Sequence, residues 1–158
     1  MKILKKIGLI LLLALIVIQF VRPTRNESKA VLATDIRQVT SVPPNVQNLL
    51  SRSCYDCHSN NTRYPWYMNI QPVAWYLADH VKEGKRELNF SEFGSYTSKK
   101  QRHKLEEISK EVQEGEMPLS SYTLIHGDAK LSDAERTIIT TWADSLFATY
   151  PTPAPESK

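Results

Sequence analysis

The chain has 158 residues, of which 41% are hydrophobic and 23% charged, and only two are cysteines. That length fits one modest folded domain with accessory segments and excludes a pair of full domains. The formal net charge of +3 belongs to the N-terminus, because Lys2, Lys5, Lys6, Arg22 and Arg25 all precede the first acid, Glu27, which leaves 15 of the 20 Lys and Arg residues against all 17 Asp and Glu residues. A mildly acidic body lacks the basic footprint that phosphate binding requires, so nucleic acid is not an expected partner.

The N-terminal MKILKKIGLILLLALIVIQFVRP begins with lysines and continues as an apolar run from Ile7 to Val21. As a helix this run reaches roughly 22 Å, less than the ~30 Å of a bilayer's hydrocarbon core unless Ile3, Leu4 and the stems of Lys5 and Lys6 extend it. The place where a signal would be cleaved carries large residues and Arg22 instead of a small-x-small site, so residues 1–22 read as an uncleaved, single-pass signal anchor, with a cleaved export signal and a secreted domain as the alternative. Residues 23–39 read as a tether, with Val31, Leu32, Ile36 and Val39 apolar enough to order partly against the domain. The folded unit is expected over 40–150, followed by a proline-spaced tail, PTPAPESK, at 151–158.

Within the folded unit the apolar residues recur at helical spacing. NVQNLLSRSC places Val46, Leu49 and Leu50 on one face after Pro43 and Pro44. PVAWYLADHVKEG groups Val73, Ala74, Leu77, Ala78 and Val81, with Gly84 read as its end. SKKQRHKLEEISKEVQEG carries a capping-box pattern at Ser98 and Gln101, a stripe of Leu105, Ile108 and Val112, and Gly115 as a stop. LSDAERTIITTWADSLF repeats that logic with Ser132 and Glu135, and with Ala134, Ile138, Ile139, Trp142, Ala143 and Leu146 as its buried face. Strand alternation is scarce, so the fold class expected is all-α.

Both cysteines fall in CYDCH, residues 54–58. A c-type haem needs two thiols spaced to reach its two vinyl groups and an imidazole presented to the iron by the same turn of backbone, and CxxCH is that arrangement. A disulfide across two residues closes too small a loop to stabilise much and has no use for His58. A thioredoxin-like dithiol requires a βαβ context, and a zinc site lacks the second short-spaced ligand pair. Cys54 and Cys57 are therefore the expected attachment points of one covalent haem, and His58 its axial ligand. That chemistry in turn orients the anchor, with the domain on the periplasmic side of a bacterial cytoplasmic membrane. For the sixth ligand, Met117 in GEMP is the leading candidate, since a thioether on an interhelical loop can approach from the face opposite His58. His80 and His126 are the other candidates, whereas His103, amid Lys100, Arg102 and Lys104, is expected to be solvated. Eight aromatics between Tyr64 and Tyr96 are expected to line the macrocycle.

A helix, CYDCH, a loop of about sixty residues, GEMP and an amphipathic C-terminal helix resemble a class I cytochrome c. More narrowly, CYDCHSNNTRYPWY, PVAWYLADHVKEGKRELNFSEF and MPLSSYTLIHGDAKLSDAE resemble the membrane-anchored bacterial haem-binding domain family. The resemblance implies a small cytochrome c-like domain around covalent haem at Cys54 and Cys57, with His58 axial and Met117 carried over from the broader cytochrome pattern. The function expected is electron transfer with redox proteins of an envelope chain, not catalysis. The alternative is a haem-based sensor or binder of small diatomic ligands with an open sixth site.

Overall fold

A computed structural model describes residues 2–28 and 30–151; of the expected tail, all but Pro151 lies outside the described residues. Among the described residues the regular structure is helical, interrupted only by an isolated bridge between Glu27 and Asn61. This agrees with the all-α expectation.

The N-terminal helix α1 (Lys2–Ile18) has 17 residues, none of them buried. At 1.5 Å per residue it is roughly 26 Å long, and Lys2, Lys5 and Lys6 occupy its first turns. No helix among the described residues is long and apolar enough to cross a membrane. The expected single-pass membrane helix, and with it the anchored localisation, is therefore corrected. The helix ends before the apolar run does, in a turn at Gln19, whose side-chain amide exchanges two hydrogen bonds with the backbone of Gln71, donating to its carbonyl at 3.1 Å and accepting from its N–H at 2.9 Å.

The tether region contributes one short helix, α2 (Ile36–Val39), begun by Asp35, whose carboxylate accepts from the Arg37 N–H. Ile36 is fully buried, so the segment does pack on the domain. α3 (Pro44–Ser53) buries Val46, Leu49 and Leu50 as its period predicts.

The scaffold is the pair α6 (Ser98–Glu114) and α8 (Asp133–Thr149), the most extensive helix contact in the molecule. Leu105, Ile108 and Val112 of α6 and Ile139, Trp142 and Ala143 of α8 enter one apolar cluster with Val46, Leu50, Phe90 and Phe93. Each of the Val, Leu, Ile and Phe side chains contributes about 1.5–3 kcal/mol by leaving water. The Trp142 indole N–H donates to the Ser41 carbonyl at 3.0 Å, tying α8 to the segment before α3. Ala134, expected on the buried face, is exposed in the first turn of α8.

The helix ends follow capping chemistry. Ser132 and Glu135 form the expected reciprocal box on α8, and Gly115 ends α6 at φ 82°, a left-handed conformation that suits glycine. The N-cap of α6 is Thr97, whose hydroxyl accepts from the Lys100 N–H, and not Ser98, which is already helical.

α5 (Val73–Glu87) differs more from expectation, because it runs straight through Gly84. The glycine answers a tertiary need. A Cβ at this position would stand 2.8 Å from the Cys57 carbonyl oxygen and 3.1 Å from the Cys57 Cβ. Its absence lets α5 lie directly against the helical turn α4 (Tyr55–His58), and so builds one wall of the site.

Candidate haem site

α3 delivers the chain into the CxxCH turn. The Cys54 N–H still donates to the Leu50 carbonyl at 2.9 Å, and the Cys54 carbonyl then accepts from the N–H groups of Cys57 at 3.2 Å and His58 at 3.0 Å. One closed turn thus places two thiols and an imidazole together. Both cysteines are free thiols. Burial pushes Cys54 up to about 12 and Cys57 up to about 11, with further like-charge contributions from Cys57 and Asp56 respectively. A redox dithiol of the thioredoxin type requires the opposite shift.

His58 is oriented from behind. Its Nδ1 lies 3.1 Å from the Leu88 carbonyl, which can only accept, so Nδ1 carries the proton and Nε2 keeps its lone pair. Burial lowers the basicity of the ring, which keeps the imidazole neutral and able to ligate.

Met117 arrives from the C-terminal end of α6. After Gly115 turns the chain, the N–H groups of Glu116 and Met117 both donate to the Glu111 carbonyl, at 3.0 and 3.1 Å. Two adjoining cavities, of about 280 and about 240 Å³, share Ser53, Cys54, His58, Glu87, Met117 and Pro118 in their walls. The first is otherwise lined mainly by apolar side chains, among them Leu50, Leu88, Phe90, Ile108 and Val112. Cys57, His80 and Tyr122 line the second. Met117, distant in the chain from the CYDCH turn, is therefore gathered with Cys54, Cys57 and His58 around these two adjoining cavities.

The other histidines separate clearly. His80 lines the second cavity and directs its Nδ1 to the Tyr76 carbonyl at 2.9 Å. His126 lines neither of the two cavities, and its Nε2 is engaged by the Tyr67 hydroxyl at 2.6 Å. His103 is exposed beside Glu107 at 3.1 Å, as expected. The aromatic expectation is corrected: of the eight rings between Tyr64 and Tyr96, only Phe90 lines these cavities, and Trp66 is 74% exposed.

Sequence reasoning missed Asp56, Tyr122 and Ser53. Asp56 is buried inside the motif, where Arg63 pairs with its carboxylate at 3.1 Å and the Tyr122 hydroxyl donates to Oδ2 at 2.7 Å. An acid inside a motif that must be covered needs a cation nearby, and the arginine seven residues on was the readable signal. Ser53 Oγ is buried with no hydrogen-bond partner, in the wall common to both cavities.

A family model described as haem-binding domain matches residues 13–145. The chain belongs to this haem-binding domain family. No curated protein and no solved structure matches the chain significantly. The family's group fits the residues present: haem needs an apolar slot and a ligand for its iron, and here a largely apolar cavity adjoins His58, whose Nδ1 is engaged by the Leu88 carbonyl and whose Nε2 is left to ligate. The two adjoining cavities together fall within the roughly 300–1,000 Å³ of cofactor clefts. The orphaned Ser53 hydroxyl is a further polar atom that an occupant would satisfy. Among the described residues, no three His, Cys, Asp or Glu side chains converge as they would to hold a bare metal ion.

Proposed function

We propose that the protein is a monohaem electron carrier of the c-type, similar to a class I cytochrome c. Cys54 and Cys57 hold the haem through thioether bonds, His58 ligates its iron through Nε2, and Met117 supplies the sixth ligand. The observation that carries this reading is the shared wall: Cys54, His58 and Met117 each line both adjoining cavities. When bound, the haem supplies one-electron exchange between Fe(III) and Fe(II). The chain's own work is to hold and insulate. The Leu88 carbonyl fixes the tautomer of His58, the α6 C-cap holds Met117, and the apolar wall excludes water and lowers the local dielectric. Burial holds the half-buried thiols of Cys54 and Cys57 well above their ordinary range, which disfavours the reactive thiolate form. Electron exchange with partner redox proteins requires no substrate pocket and no acid–base pair, so a carrier role is favoured over catalysis.

Met117→Ala tests the sixth ligand. The variant is expected to retain its haem, to lose the far-red sulfur-to-iron charge-transfer band of the oxidised protein, and to bind carbon monoxide when reduced. A variant with the wild-type band and no carbon monoxide binding would contradict the assignment.

A further inference from the structure

The segment after Met117 is attached by hydrogen bonds more than by packing. α7 (Ser120–Ile125) contains no buried residue, and Leu124 and Ile125 are exposed. A segment with so little buried apolar area opens readily unless polar contacts fasten it. Two such contacts are made, one from within α7 and one at its C-cap: Tyr122 donates to Asp56 Oδ2 at 2.7 Å, and His126 meets the Tyr67 hydroxyl at 2.6 Å.

Asp56 is a fixed point within the CxxCH turn. The backbone N–H and Nε of Arg63 donate to its Oδ1, and Nη2 to its Oδ2, all at 3.1 Å. The Tyr122 hydrogen bond to this carboxylate is short and charge-assisted, the stronger kind. Pro118, Leu119, Ser120 and Ser121 alone separate Tyr122 from Met117. On its other side Met117 is held by the Glu111 carbonyl at the end of α6.

We propose that the Tyr122–Asp56 hydrogen bond is a latch holding the Met117 segment against the haem-binding turn, which makes Tyr122 a positioning residue for the sixth ligand. This deepens the function proposed above and rests on Met117 being that ligand. With the latch removed, Met117 stays anchored at the α6 side while its distal side loosens, so the thioether leaves the iron more often and an external ligand takes its place. Asp56 remains paired with Arg63, and the ring at position 122 remains stacked on His126 with centroids 4.2 Å apart, so Tyr122→Phe removes the latch and spares the turn.

The test is imidazole titration of the oxidised, haem-loaded protein in wild type, Tyr122→Phe and Thr97→Ala. Thr97→Ala removes a helix cap at the opposite end of α6 from Met117 and controls for general destabilisation. Tyr122→Phe is expected to bind imidazole on the order of tenfold more tightly than wild type, as the loss of a charge-assisted hydrogen bond implies, with a weakened far-red band. Thr97→Ala is expected to keep the wild-type affinity. Wild-type affinity in Tyr122→Phe, or an equal gain in Thr97→Ala, would overturn the latch. A wild-type protein without the far-red band would overturn the Met117 assignment itself, and the latch with it.

Discussion

α6 and α8 join the apolar cluster through six buried side chains, Leu105, Ile108, Val112, Ile139, Trp142 and Ala143, whereas α4 and α7, the short helices that flank the haem site, bury a single residue between them, the charged Asp56. The scaffold is held by area removed from water, the site by specific pairing. Area is forgiving of exact geometry and large in sum, while pairing is directional and small in sum. A binding turn held in the second way can be placed accurately and still yield to its cofactor.

The comparison is broken most severely at the scaffold. Leu105→Ala, at a fully buried position, is expected to cost about 2–5 kcal/mol, read as a lowered denaturant midpoint in both the haem-free and the haem-loaded protein. A loss below about 1 kcal/mol would mean that the helix pair does not carry the fold.

Gly84→Ala tests the junction between the two regions. The added Cβ meets the Cys57 carbonyl at 2.8 Å, a backbone atom that cannot rotate away. Overpacking of about 1–3 kcal/mol is only partly offset by the roughly 1 kcal/mol gain in helix propensity, so a net loss of up to about 2 kcal/mol is expected. Haem content per chain is expected to fall, because the turn is pushed out of place. A more stable variant with full haem content would show that α5 does not position Cys57.

The smallest effect lies at the edge of the scaffold and depends on pH. The capping contacts of Ser132 and the nearby Arg52 guanidinium hold the Glu135 carboxyl down at about 2. Because its folded value is depressed, its contribution to stability is fully present above the ordinary carboxylate range near 4.5 and disappears as pH falls toward 2. Glu135→Gln, which keeps the cap's hydrogen-bonding shape, is expected to be less stable than wild type at pH 6 and equal to it near pH 2. A pH-independent difference in unfolding midpoint would refute a role for the charge.

The same division explains what could be read in advance. The Leu105–Ile108–Val112 stripe, the Ser132–Glu135 box, the Gly115 stop and the CYDCH motif are local patterns, and local physics determines them. Gly84 looked like a stop because sequence shows a glycine's freedom and not the carbonyl that will lie against it. Thr97 and Ser98 are adjacent hydroxyls, and only the backbone conformation of residue 97 decides which one caps. The latch from Tyr122 to Asp56 joins residues 66 positions apart, which no local period reports. The N-terminal run was read by hydropathy, and its helix ends at Ile18, where Gln19 turns to the backbone of Gln71.

The central claim is that one haem is bonded to both sulfur atoms of the CYDCH turn. Mass spectrometry of the purified, denatured and acid-extracted protein tests it most directly. The expected result is a chain heavier by a single haem, with Cys54 and Cys57 resistant to alkylation. An unmodified mass, with the colour extracted into solvent and both thiols alkylated, would contradict it.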